Sequence, residues 1–236
     1  MSEQIEIRGL CKSFSVEDRQ VEVLKDLELT VPAQEITVIL GRSGCGKTTL
    51  LRLISGLDKD FTGTILTPNN ARTAFVFQEA RLMPWLTVRQ NIAFGLNKKE
   101  IHCEEIDALI RLTGLEGFAD AYPQQLSGGM SQRTALARAL ALHPQFILMD
   151  EPFAALDHFT REKMQQALLE IHKRSRCGVL FVTHSIDEAL AIGHRIVVLE
   201  DQKVKKVYPL TGNWRETCSE AQRQALKADI LSSIHD

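Results

Sequence analysis

The sequence predicts an α/β fold: a mainly parallel sheet, with an N-terminal antiparallel β region and an inserted helical subdomain. Three observations predict it. Five short apolar runs, "EITVILG", "TAFVFQ", "QFILMDE", "GVLFVTH" and "HRIVVLED", have the length and Val/Ile/Phe content of strands buried on both faces. Helical spacing lies between some of them, with Leu50, Leu53, Ile54 and Leu57 after the first run and Met164, Leu168 and Ile171 before "GVLFVTH". A glycine-rich loop joins the first run to its helix.

Taken in order, Ile5 and Ile7 alternate with charge, as do Leu27, Leu29 and Val31, which predicts half-buried antiparallel strands at the N-terminus. The α/β core is expected over 1–83 and 143–207, with a helical insertion over 84–142. A tail over 208–236 suggests a last amphipathic helix with Ala225, Leu226, Ile230 and Ile234 as its stripe. No internal repeat, low-complexity segment or linker stands out, so 1–236 is expected to be one domain. That length suits a single sizeable α/β domain.

Composition narrows the function. A net charge of −2 weighs against a dedicated nucleic-acid binder, which carries a basic surplus. The five cysteines are odd in number, widely spaced and free of any Cys-x-x-Cys pair, which argues against a disulfide framework or zinc site. The start "MSEQIEIRGL" has no apolar signal region, and no apolar run reaches the roughly 18–20 residues that cross a bilayer. A cytoplasmic protein is expected; at a membrane, another chain would supply the span.

Gly41, Gly46, Lys47 and Thr48 fit the spacing Gly-x-x-x-x-Gly-Lys-Ser/Thr, between a buried strand and an apolar helix. Glycines let the loop curl so that backbone N–H groups face phosphate oxygens, and the helix start adds its own. Lys47 supplies a mobile charge and the Thr48 hydroxyl a hard oxygen for Mg²⁺. The pattern predicts a phosphate-loop NTPase core, the other reading being a glycine-rich strand-to-helix turn with a solvated lysine. The dinucleotide fingerprint fails, because its third glycine would fall on Thr49.

Other strand ends carry chemistry. "FILMDEP" ends on Asp150, a candidate for the Mg²⁺ shell, and Glu151, a candidate base for an attacking water. Gln78 and His184 end two further runs; a solvated or structural role is the alternative for each. Ligands bind at the carboxyl ends of strands in open parallel sheets, so Gln78 is a candidate Mg²⁺ ligand and His184 a candidate partner of the γ-phosphate or the water. In "QQLSGGMSQRTALARAL", Ser127 is a natural N-cap, and Gly128 and Gly129 expose N–H groups for a second phosphate cradle. One triphosphate rarely needs two cradles in one chain, whereas a head-to-tail dimer would clamp ATP between one chain's loop and the other's turn.

Over residues 3 to 207 the chain resembles an ATP-binding cassette (ABC) subunit. "GRSGCGKTT" is similar to the Walker A loop, whose positions here are Gly41, Arg42, Ser43, Gly44, Cys45, Gly46, Lys47, Thr48 and Thr49. Gln78 resembles the Q-loop residue, "LSGGM" the signature motif, "FILMDEP" Walker B with the catalytic glutamate, "AALD" the D-loop ending at Asp157, and His184 the switch histidine. Phe14 sits where the family stacks an aromatic on adenine. The resemblance implies ATP and Mg²⁺ as ligands, with Thr48, Gln78 and Asp150 toward the metal and Glu151, His184, Gln78 and Lys47 toward catalysis.

Met130 departs from the glutamine usual after the second signature glycine, Ala154 from a common D-loop serine, and Arg42 from the more usual proline or glutamate. The role of Arg42 stays open between a phosphate contact and none. A lone cassette of this size, without a long coiled coil or fused membrane domain, resembles a bacterial importer subunit. "FQEARLMPWLTVRQNIAFGL" is similar to the Q-loop region of nitrate, taurine and alkanesulfonate importers. There Pro84 and Trp85 would line a groove for a permease's coupling helix, core packing being the other reading of Trp85. The implied protein is a homodimeric ATPase on the cytoplasmic face of the membrane, working with permease subunits and, indirectly, a solute-binding protein. The alternatives are another transporter, a soluble nucleic-acid partner, or a small-molecule kinase, which would not need Ser127.

Overall fold

A computed structural model describes residues 4–17, 19–68, 71–97, 101–154, 156–210 and 214–235. The chain falls into two units, one of residues 1–71 and 178–236 and one of residues 72–177.

In the first unit, β1 (Gln4–Val16) pairs antiparallel with β2 (Arg19–Pro32) on one side and with β4 (Thr62–Leu66) on the other. The expected alternation is present: Ile5, Ile7, Leu27, Leu29 and Val31 are buried. The parallel part is built on β3 (Ile36–Leu40), every residue of which is buried. It lies between β7 (Gly178–Thr183) and β8 (Arg195–Glu200), both parallel to it; Leu40 pairs with Thr183 and with Val198. A strand the sequence reading did not expect, β9 (Lys203–Pro209), closes this edge antiparallel to β8. β4 was likewise unexpected; it pairs with β1 through Ile7 and Ile65.

The first helix, α1 (Lys47–Ile54), buries Leu50, Leu51, Leu53 and Ile54. Leu57, which the spacing placed on that face, does not continue it. The chain turns at Gly56 (φ +73°) and leaves Leu57 61% exposed.

The second unit holds the parallel pair β5 (Thr73–Val76) and β6 (Phe146–Asp150), in register from Thr73–Phe146 to Val76–Met149. β6 is buried throughout. β5 is buried only at Ala74 and Val76, so it is half-buried rather than covered on both faces. Between 84 and 142 the described residues form α2 (Val88–Ala93), α3 (Cys103–Leu112), α4 (Gly128–Ala141) and two single 3₁₀ turns, with no strand. Val88, Ile92, Ile106, Ile110 and Leu115 pack these helices together with Ala137 and Ala141. Helix α5 (His158–Ser175) buries Met164, Leu168 and Ile171, as its spacing predicts.

The first unit is completed by α6 (Ile186–Ile192), the short α7 (Trp214–Thr217) and α8 (Glu220–His235). In α8 the predicted stripe is half right. Ile230 and Ile234 are buried, Leu226 is partly covered and Ala225 is exposed. Among the described residues no helix is long and apolar enough to cross a membrane.

Candidate functional site

In the first unit the loop between β3 and α1 is shaped by three constraints. Gly44 (φ +85°) and Gly46 (φ +100°) occupy backbone conformations that disfavour any side chain. At Gly41 a Cβ would stand 2.4 Å from the Leu199 carbonyl oxygen of β8 and 2.6 Å from Cys45 Sγ. Lys47 is only 5% exposed, and its ammonium donates to the Gly41 and Arg42 carbonyls, both at 2.9 Å. The cation therefore lies within the curl of the loop, with its charge held by backbone dipoles. Burial pushes the Cys45 thiol above its ordinary value, and the charge of Lys47 only partly offsets this.

Arg42, Ser43 and Gly44 are exposed on the loop, Thr48 and Thr49 are half-buried, and Gly46 N-caps α1, its carbonyl accepting from Leu50 N at 2.8 Å. Because Leu40 pairs with Thr183, Gly41 and His184 leave the same end of adjacent strands. His184 is exposed between two fixed points. The Thr183 hydroxyl donates to the buried Glu188 carboxylate at 2.5 Å and accepts from Ser185 N at 3.1 Å, and Ser185 caps α6. Neither Thr183 nor Glu188 was singled out from the sequence. Phe14, 40% exposed on β1, borders a cavity of about 590 Å³ with Thr49, Arg52, Leu57 and Asp58.

In the second unit Gln78, Asp150 and Glu151 come together by register. Val76 pairs with Met149, so Gln78 and the acidic pair leave the same end of β5 and β6. Gln78 does not end the strand as expected; it lies two residues beyond it and is exposed. Asp150 is 8% exposed at the last position of β6, and Glu151 follows with φ +41°, turning the chain sharply off the strand. A non-glycine residue in that region is strained, and such strain clusters at functional positions.

Ser127 caps α4 by accepting from Met130 N at 3.3 Å, with Gly128 exposed beside it. Gly129 is buried; a Cβ there would stand 2.6 Å from Thr160 Cγ2, at the start of α5. Asp157 caps α5 through Thr160 N at 3.1 Å, and that hydrogen-bonding holds its carboxyl below its ordinary value. Ala155, in the same predicted loop, lies outside the described residues. Met130 packs against the apolar cluster of the inserted helices, which accounts physically for an apolar side chain there.

Two supports were not legible beforehand. Gln132 of α4 donates to the Gln78 carbonyl, and Arg138 donates to the Ala80 and Arg81 carbonyls at 2.9 and 3.0 Å. The segment carrying Gln78 is thus tied to the helix that begins at Ser127. Burial lowers the affinity of Arg138 for its proton.

Trp85 is 68% exposed, which decides against core packing. Its loop hangs on Asn91, fully buried, whose side chain accepts from Met83 N (2.8 Å) and donates to the Met83, Leu86 and Thr87 carbonyls (3.2, 2.9 and 3.0 Å).

Comparison with known proteins bears on what these two groups of residues are. A family described as ABC transporter matches residues 24–154. An aliphatic sulfonates import ATP-binding protein from Bacillus subtilis is 41% identical over 94% of this chain and 91% of its own length. A protein of the same description from Pseudomonas savastanoi is 50% identical over 90% of each. An uncharacterized ABC transporter ATP-binding protein from Methanocaldococcus jannaschii is 46% identical over 84% of this chain and 78% of its own. Among solved structures, a dimeric ATP-binding cassette in a post-hydrolysis state bound to ADP and Pi is 32% identical. It superposes with a TM-score of 0.79 and covers 88% of this chain and 99% of that one.

Proposed function

This chain belongs to the ABC transporter family and is an ATPase cassette, and we propose that it powers uptake of a small anionic solute, an aliphatic sulfonate or a nitrate- or taurine-like ion, through a separate permease. The observation that carries the ATPase reading is the loop of residues 41–48, where Gly44 and Gly46 hold positive φ and Lys47 is buried against loop carbonyls. The importer reading draws on the relatives' descriptions.

In this reading the N–H groups from Gly41 to Thr49 and the Lys47 ammonium hold the phosphates. Phe14 stacks on the adenine. Glu151 takes the proton of the attacking water, and His184 and Gln78 orient that water and the γ-phosphate. Ser127, Gly128 and Gly129, with Asp157, close on the nucleotide held by a second, head-to-tail copy. Mg²⁺ suits the oxygen donors: the half-buried Thr48 hydroxyl, the Gln78 amide and the Asp150 carboxylate. When bound, it neutralises charge on the phosphate oxygens. The exposed Pro84 and Trp85 form part of the permease-facing surface, and the relatives' description as import ATP-binding proteins supports a position at the cytoplasmic face of the membrane.

The test is a vesicle reconstitution with the copurifying permease and solute-binding protein, with ATP sealed inside and a radiolabelled alkanesulfonate outside. Lys47→Ala is expected to weaken nucleotide binding. Glu151→Gln is expected to keep it but lower ATP turnover by roughly 10²–10⁴ and stop uptake. Unchanged steady-state turnover in Glu151→Gln would remove the general-base role. ATPase stimulation by DNA, with steep salt dependence and no uptake, would replace the importer reading.

A further inference from the structure

Lys12 is a charged residue inside β1 whose side chain is 3% exposed. Its ammonium donates to Asp58 Oδ1 at 3.2 Å, to the Asp60 carbonyl at 2.5 Å and to Asp60 Oδ2 at 3.1 Å. These acceptors occupy all three of its protons, so it has none to offer a ligand. The same ammonium lies 4.7 Å from the centroid of the Phe14 ring, within cation–π range. Lys12 does not line the cavity that Phe14 borders with Thr49 and Arg52; it lines a neighbouring one of about 390 Å³ that Phe14 and Asp60 also border.

Asp58 and Asp60 follow directly from the phosphate-loop helix. Asp58 N donates to the Arg52 carbonyl of α1 at 3.2 Å, and Asp60 N donates to Asp58 Oδ1 at 2.9 Å. Unbroken contacts therefore run from the Phe14 ring through Lys12 and the two carboxylates to the C-terminal end of α1. The N-terminal end of α1 is the loop itself. The helix spans about 12 Å at 1.5 Å per residue, a rigid ruler between the two ends of a nucleotide site.

The knot keeps its charges at neutral pH. Burial pulls Lys12 down, but the hydrogen bonds it donates to Asp58 and Asp60, with their negative charge, outweigh it and hold the ammonium above its ordinary value. The Asp60 N–H first, and then Lys12, hold Asp58 below its ordinary value. The lysine's contribution is present below its unfolded value and lost as pH rises through the folded one. The aspartate's is present above its unfolded value and lost as pH falls through the folded one. Both are therefore in place between about pH 4 and pH 10.

We infer that Lys12 is a positioning residue that sets Phe14 at a fixed distance from the phosphate loop and so governs affinity for the base end of the nucleotide. The inference rests on the reading of Phe14 as the adenine platform. It assigns Lys12 a task that neither ATP contact nor general stability requires.

The experiment measures equilibrium binding of Mg-ATP and of inorganic tripolyphosphate, which lacks a base, to the full chain and four variants. Phe14→Ala and Lys12→Met are each expected to weaken ATP about fivefold, the scale of one aromatic contact, and to leave tripolyphosphate within about twofold. The double variant should bind ATP no worse than about twofold below the weaker single, because both substitutions remove one interaction. Lys12→Arg, which keeps the charge, should restore ATP binding. If Phe14→Ala weakens ATP selectively and Lys12→Met does not, the inference is overturned while the Phe14 reading stands. If Phe14→Ala changes ATP no more than tripolyphosphate, the Phe14 reading fails and the inference falls with it. Equal loss of both ligands in Lys12→Met makes Lys12 merely structural. Should Lys12→Met not fold, Lys12→Gln, which keeps a donor to the carboxylates but removes the cation beside the ring, must show the same selective loss.

Discussion

Gly46→Ala tests whether the phosphate loop is shaped by its surroundings as well as by its own residues. Two costs follow from the structure. Gly46 has φ +100°, where a residue with a Cβ loses about 1–2 kcal/mol. The new Cβ would also stand 2.8 Å from the Val23 carbonyl oxygen and 2.8 Å from Leu24 Cδ2. The first is backbone of β2, and Leu24 is fully buried, so neither can swing aside. Overpacking of that kind costs about 1–3 kcal/mol. The sum is about 2–5 kcal/mol, which at 2–4 °C per kcal/mol for a chain of this size lowers Tm by roughly 4–20 °C. Gly44→Ala is the internal control. Its φ of +85° carries the same conformational penalty, but a Cβ there meets nothing within 4 Å, so the expected loss is only about 1–2 kcal/mol. Thermal unfolding of the two variants by circular dichroism gives the comparison directly. Equal losses at the two positions would refute the argument that β2 presses on the loop, and no loss at either would refute the strain argument as well.

Two further outcomes follow from the same geometry. With its thiol raised by burial, Cys45 should react slowly with iodoacetamide at neutral pH, and its rate should still be climbing past about pH 9, followed by peptide mass spectrometry; a plateau below about pH 8 would contradict the shift. Asn91→Leu strands several backbone groups of the Trp85 loop, each at about 1–3 kcal/mol if left unpaired. It should leave basal ATP hydrolysis within about twofold while lowering permease-stimulated hydrolysis at least about fivefold, and equal rates in both assays would dissociate the loop from coupling.

What the sequence makes legible here is the chemistry that runs along consecutive residues. A phosphate cradle is built from neighbouring backbone N–H groups, so Gly41 to Thr48 can be read as a string. An N-cap such as Ser127 needs only the next turn of its own helix. Strands buried on both faces, β3, β6 and β7, announce themselves because every side chain must be apolar. The edges do not. β9 reads "KVKKVYP", a charge run in which Val204 and Val207 become strand residues only because β8 offers a free edge. Gln78 was placed at a strand end because Phe77 extends the apolar run. Phe77 instead leaves the ladder, stacks on Phe75 at 4.4 Å and carries Arg81 over its ring.

The supports of the site are illegible for a related reason: each reaches a functional residue from a remote position or another element. Leu199 of β8 limits Gly41, Val23 of β2 limits Gly46, and Gln132 of α4 holds the Gln78 carbonyl. Lys12 and Asp58 are 46 residues apart. In sequence a lone lysine on an N-terminal strand is a solvated charge; only the return of the chain after α1 turns it into the backing of Phe14. Residues that touch phosphate are constrained by phosphate chemistry, which is the same wherever it occurs. Residues that hold them are constrained by what else the fold brings near. The first kind of constraint is carried by motif and the second by geometry, so substitutions at Lys12, Asn91 and Gln132 test the fold's contribution in a way that substitutions at Lys47 or Glu151 do not.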